Sequence, residues 1–136
     1  MRPIPVGAKG TYTLRVMPAH LANQFKDVSL PQVFATPMMV TAMENAALNA
    51  VRDYLDPGES AVGTMVNVRH LAATPVGHTV TAEAEVTKVD GRRIAFKVWA
   101  RDESEQIGIG THERMVVDMT RLGHRLAAKR PQNTKL

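Results

Sequence analysis

The sequence predicts an α+β single domain in which a long central helix is wrapped by a five-stranded antiparallel sheet. Three observations carry this. Good helix formers run almost without charge from Thr36 to Leu55. Alternating strand patterns stand on both sides of that run, one before it and four after it. The chain has 136 residues, one ordinary domain's worth. Hydrophobic residues make up 44% and charged residues 22%, close to globular averages, so the chain is expected to fold rather than stay disordered.

Residues 11–17 alternate weakly and read as the first strand, and 18–32, punctuated by Pro18 and Pro31, reads as a loop with one helical turn. Thr36 can serve as an N-cap, with Pro37 suited to the first helical position, and Asp56-Pro57-Gly58 stops the helix. Its apolar residues, among them Met38, Met39, Val40, Ala42, Met43, Ala46, Ala47, Leu48, Ala50 and Val51, cover most of the circumference, which implies burial on most sides. Val62, Thr64, Val66, Val68 and His70 fall on one face of the next strand by simple alternation. The following strand sets Val80, Ala82, Ala84 and Val86 on its apolar face, and the one after sets Ile94, Phe96, Val98 and Ala100 inward. Asp90-Gly91 signals the tight hairpin between them, and a last strand covers about 107–119. The four strands after the helix are expected to form a meander. One helix cannot cover such a sheet, so a homodimer joined by edge-strand pairing is the expected remedy.

The domain is expected to span 1–120, followed by a basic, solvated tail over 121–136. That tail holds Arg121, Arg125, Lys129, Arg130 and Lys135 and no acid, which accounts for the net charge of +4 and leaves the body nearly neutral. Aromatic residues are only 4%, poor material for stacking bases, so nucleic acid is not an expected partner. No run approaches the roughly 18 apolar residues of a membrane span, and residues 1–10 lack the apolar segment of a secretory signal. The expectation is a cytoplasmic protein with no membrane partner. The absence of cysteine removes disulfides, thiolate metal sites and a cysteine nucleophile.

Glu44 is the most informative residue, a carboxylate in a nearly uncharged helix on a stripe with Thr36, Val40, Ala47 and Val51. Such a group is costly to bury unless it is paired or used, so it is either a general base or a group reaching water between subunits. His70 ends a strand whose face packs on the helix, either as a hydrogen-bonded core residue or as a partner of Glu44. Thr36 is either a helix cap or a hydroxyl placed where developing negative charge is favoured. His112-Glu113 opens like a zinc-protease motif, but Val116 stands where the second histidine is needed, and the five histidines show no metal-ligand spacing. Gly108-Ile109-Gly110 lacks the third glycine of a dinucleotide fingerprint. Neither a metal nor a cofactor is expected.

The segments Phe34-Ala35-Thr36, Met43-Glu44, Gly63-Thr64, Val68-Arg69-His70, Ala72-Ala73-Thr74-Pro75, Gly91-Arg92-Arg93 and Gly110-Thr111-His112-Glu113-Arg114, taken in this order, closely resemble the fluoroacetyl-CoA thioesterase group of the hotdog superfamily. The likeness covers about residues 5–120. It implies a hotdog fold, an acyl-CoA substrate, thioester hydrolysis without a cofactor beyond the substrate's own CoA, and Thr36, Glu44 and His70 as the catalytic set. It further implies that the Gly63 amide binds the thioester carbonyl and that Arg114 contacts substrate. Asp27 and Leu30 stand where the fluoroacetate-specific member has phenylalanines in a lid, so the resemblance carries thioester hydrolysis but not fluorine selectivity. The same residues would also permit two other chemistries, ligand binding without turnover and enoyl-CoA hydration.

Overall fold

The computed structural model describes residues 1–131. Strand β1 (Lys9–Arg15) leads through a short turn of 3-10 helix (Pro18–His20) and the single-turn α1 (Ala22–Phe25) to the long α2 (Thr36–Val51), which ends in a second 3-10 turn (Arg52–Tyr54). Strands β2 (Glu59–His70), β3 (Thr79–Asp90), β4 (Arg93–Arg101) and β5 (Gln106–Asp118) follow, and α3 (Met119–Ala128) closes the described chain. The five strands form one antiparallel sheet in the order β1-β3-β4-β5-β2. The expected hairpin sits at Gly91-Arg92, with Asp90 paired to Arg93 and Gly91 at a positive φ of 59°.

Two expectations about the strands are corrected. The meander is confined to β3, β4 and β5; β2 lies beyond β5 at an edge, and residues 71–78 carry the chain back across to β3. Alternation reports which face a residue takes but not which strand lies beside it. The crossing segment is anchored where Thr74, fully buried, accepts from the Phe34 amide (2.8 Å) and donates to the Asp102 carboxylate (2.8 Å). The second correction concerns the face of β2. Gly63 pairs with Arg114 and Met65 pairs with Glu113, so Thr64 is an extra residue in a β-bulge. Ala61 and Gly63 point toward the helix before the bulge, and Val66, Val68 and His70 do so after it. Without the extra residue Gly63 and His70, seven positions apart, would lie on opposite faces.

The buried side of α2 is built from Met39, Ala42, Met43, Ala46, Ala47, Ala50 and Val51. Its alanines let β1 come unusually close: a Cβ on Gly10 would collide with the Ala46 carbonyl and the Ala50 backbone. The helix packs chiefly on β1 and β3, with the inward Val80, Ala82, Ala84, Val86, Ile94, Phe96 and Val98 beneath it, all fully buried or nearly so. Each large apolar side chain buried there stabilises the fold by about 1.5–3 kcal/mol. A five-stranded sheet is about 19 Å across and a helix about 10 Å. Cover by α2 is thinnest toward the free edge of β2, and Val66 there stays 42% exposed.

The segment expected as a tail is helical in its first part. Asp118 caps α3 by accepting from the Arg121 amide (2.9 Å), which releases the chain from β5 directly into a helix. Residues 132–136 lie outside the described residues.

Candidate active site

Thr36 occupies the first turn of α2, but Ala35 takes the N-cap position and the Thr36 side chain makes no cap bond. Pro37 follows it, so one of the amides left without an intrahelical acceptor is removed rather than capped. The Thr36 hydroxyl instead lies 2.8 Å from His70 Nδ1. A hydroxyl and an imidazole at this distance, beside a helix N-terminus, have the geometry of an activated nucleophile or a positioned proton donor. Burial pushes the His70 imidazole below its ordinary range, an effect that the Ala72 backbone only partly offsets, and its Nε2 has no well-formed hydrogen bond. The ring is therefore predominantly neutral at neutral pH and available to accept a proton.

Glu44 lies two turns further along α2, about 12 Å from Thr36 in axial rise. Its side chain is 38% exposed, at an opening rather than in the core. One carboxylate oxygen is 3.9 Å from the Arg114 guanidinium, and it would be 2.8 Å from a Cβ placed on Gly63. Gly63 is thus the residue that lets backbone and carboxylate come together. Alanine there should displace the flexible Glu44 carboxylate without unfolding the sheet. The expected result for Gly63→Ala is about a 10²-fold fall in turnover with thermal unfolding nearly unchanged, measured by steady-state kinetics and calorimetry on the same preparation.

Arg114 is buried and heavily engaged. It donates from Nε and one terminal nitrogen to the Ala61 carbonyl (3.2 and 2.6 Å), and from the other to the Glu44 carbonyl (3.4 Å) and to His112 Nε2 (3.1 Å). Its charge faces Glu44, while four of its five N–H groups are directed at protein groups. His112, 1% exposed, stacks on Phe96 with ring centroids 5.7 Å apart, and its Nδ1 lies 2.7 Å from the Met65 carbonyl. The sequence singles out His112 through a failed zinc motif and within the Gly110–Arg114 segment of the resemblance, without giving it a role. The readable signal was elsewhere, in the two-residue period that puts His112 on the inner face with Arg114.

Within one chain, then, the sequence-expected residues form two groups. Thr36 meets His70 at the start of α2, and Glu44 meets Gly63 and Arg114 near its middle. Among the described residues no cluster of three or more histidine, aspartate or glutamate side chains could hold a metal ion, and no helix is long and apolar enough to cross a membrane. A separate open cleft of about 560 Å³ lies between α3 and β5, lined by Arg92, Arg121, His124 and Arg125 among others, and none of the five expected site residues other than through their shared strand approaches it.

The sequence profile of the fluoroacetyl-CoA-specific thioesterase family, FlK, matches residues 16–120. The chain belongs to this family. It is 41% identical over 131 residues to the fluoroacetyl-CoA thioesterase of Streptantibioticus cattleyicolor, an alignment covering 93% of this chain and 94% of that protein. The solved structure of the fluoroacetyl-CoA thioesterase FlK superposes with a TM-score of 0.90 at 39% identity, over 95% of this chain and 99% of the other. A variant of FlK in complex with acetyl-CoA gives a TM-score of 0.89 at 39% identity, over 93% and 99%. The fold of this FlK-family chain is the hotdog fold expected from its sequence.

Proposed function

We propose that the protein is an acyl-CoA thioesterase that hydrolyses a small acyl-CoA to the free acid and CoA. The observation that carries this is the Thr36–His70 contact: a hydroxyl at a helix start that is bonded to a neutral imidazole instead of capping the helix. In this reading the thioester carbonyl lies between the α2 N-terminus and the Gly63 amide, donors for the oxyanion that develops on attack. Glu44 acts as base or nucleophile, Thr36 contributes its hydroxyl, and His70 manages proton transfer. Arg114 acts on Glu44 by charge, with four of its five N–H groups directed at Ala61, Glu44 and His112 and one left for substrate. The reaction so drawn uses no metal and no cofactor beyond the CoA of the substrate. Arg92, Arg121 and Arg125 along the α3 cleft offer cations to its phosphates. Relatives that act on or bind fluoroacetyl-CoA and acetyl-CoA support the substrate class. Selectivity for fluorine is not part of the proposal, since Asp27 and Leu30 replace lid aromatics and Asp27 is taken up in a turn, accepting from Ser29.

The two groups of residues come together if β2 pairs antiparallel with β2 of a second copy about Asn67, with Val66 opposite Val68 and the Thr64 bulge left out of the count. That register sets Gly63 of one protomer opposite His70 of the partner subunit, and it covers the exposed edge that carries Val62 and Val66. The working unit proposed is therefore a homodimer with two composite sites, resident in the cytoplasm.

Thiol release across a panel of acyl-CoAs tests the activity. Free thiol from a small acyl-CoA is the expected result. Tight binding with no thiol would replace the proposal by a ligand carrier, and loss of enoyl absorbance with no thiol by a hydratase. The pH profile has a fixed sign. Because burial lowers the His70 pKa and the neutral ring is the working form, turnover should be full above about pH 6.5 and fall as pH drops through the lowered value.

A further inference from the structure

His112 lies outside the set expected from the sequence, yet it touches both structural devices on which the site depends. Its ring is buried against Phe96 of β4. One nitrogen faces the Met65 carbonyl, the residue that resumes the β2 ladder after the Thr64 bulge. The other faces the Arg114 guanidinium, whose charge is directed at Glu44.

Donor and acceptor chemistry fixes the form of the ring. A guanidinium has only donors, so His112 Nε2 must accept from Arg114, and a carbonyl only accepts, so Nδ1 must carry the proton and donate to Met65. The imidazole is therefore neutral and a single tautomer. A second proton on Nε2 would set an N–H against the N–H of Arg114. The charged groups that bear on the ring are Arg114 and Glu113 from β5 and Glu44 from α2; β4 contributes Phe96 and β2 the Met65 carbonyl.

We propose that His112 is a positioning residue for the thioester hydrolysis proposed above, a neutral Nδ1-protonated imidazole that holds the β2 bulge with one nitrogen and Arg114 with the other. Through the bulge it keeps Gly63 and His70 on one face; through Arg114 it sets the charge that faces Glu44. Burial, the first cause acting on its protonation, works in the same direction as the geometry and disfavours the charged ring.

Two substitutions and one spectroscopic measurement test this. His112→Phe keeps the ring stacked on Phe96 and removes both hydrogen bonds. It should lower kcat by about 10²-fold with KM changed only a few-fold, as expected for misplacement of catalytic groups by about an ångström. His112→Gln offers an amide donor to Met65 and an amide oxygen to Arg114, and should recover at least about tenfold of that loss. Long-range proton–nitrogen correlation spectra of the histidine-labelled wild-type protein should show one ring in the Nδ1–H form that stays neutral at pH 6.5, where an ordinary imidazole is half protonated. Near-normal turnover in the phenylalanine variant, equal losses in both variants with unchanged thermal unfolding, or an Nε2–H tautomer would each overturn the proposal. A wild-type protein that releases thiol from no acyl-CoA would overturn the hydrolase reading instead, and the tautomer would still decide the assignment of His112.

Discussion

Glu44→Gln should cut acyl-CoA turnover by at least about 10²-fold while the protein keeps its fold. The substitution preserves the shape of the side chain at the Gly63–Arg114 opening and removes only its capacity to accept a proton or attack a carbonyl. With 38% of the side chain exposed, Glu44 contributes little to the core, so circular dichroism and the unfolding midpoint should match the wild type. Turnover of every active acyl-CoA at near-normal rates in this variant would remove Glu44 from the chemistry.

His70→Ala should have an effect of the same size, because it leaves the Thr36 hydroxyl without its base. Thr36 separates the chemical role from the structural one: serine keeps the hydroxyl and should be tolerated, whereas valine should lose activity with the imidazole left intact. Equal losses in Thr36→Ser and Thr36→Val would count against the hydroxyl. The two large-effect variants also test the composite site in one experiment. A mixed dimer of a Glu44→Gln protomer with a His70→Ala protomer contains one composite site with both lesions and one with neither. Refolding the two inactive proteins together should therefore restore activity, measured as thiol release after mixing. If each protomer carried its own complete site, every site in the mixture would keep a lesion and no activity would return.

Much of this architecture was legible in the amino-acid pattern. The nearly uncharged stretch from Thr36 gave α2, although its N-cap is Ala35 rather than Thr36, and the apolar alternation of β3 and β4 gave the inner face that lies beneath it. The position of β2 was not legible, since nothing in its side chains says that β5 rather than β3 will be its neighbour. The basic character of 121–136 concealed α3, whose start depends on one capping contact by Asp118. Thr36 was ambiguous for a physical reason: a threonine before proline at a helix start suits capping, and only the 2.8 Å approach of His70 shows that its hydroxyl is directed elsewhere. Glu44 stands out as the lone carboxylate of a nearly uncharged helix, and Gly63 and Arg114 stand out only through the resemblance, but their mutual contact depends on strand register, which alternation alone does not fix. The part His112 plays depends on its sharing the inner face with Arg114, two positions on, a relation that a metal motif does not express.

The unpaired Thr64 divides β2 into two stretches that are out of frame with one another, like text before and after an inserted letter. Upstream, odd-numbered positions face the helix; downstream, even-numbered ones do. The side on which a substitution is felt must therefore invert at that point, a change at Val62 acting on the outer face and one at Val66 on the inner face. Among divergent relatives, gain or loss of a single residue here would be far more disruptive than in the neighbouring loops, because it would turn the imidazole away from the threonine while leaving every letter of both intact.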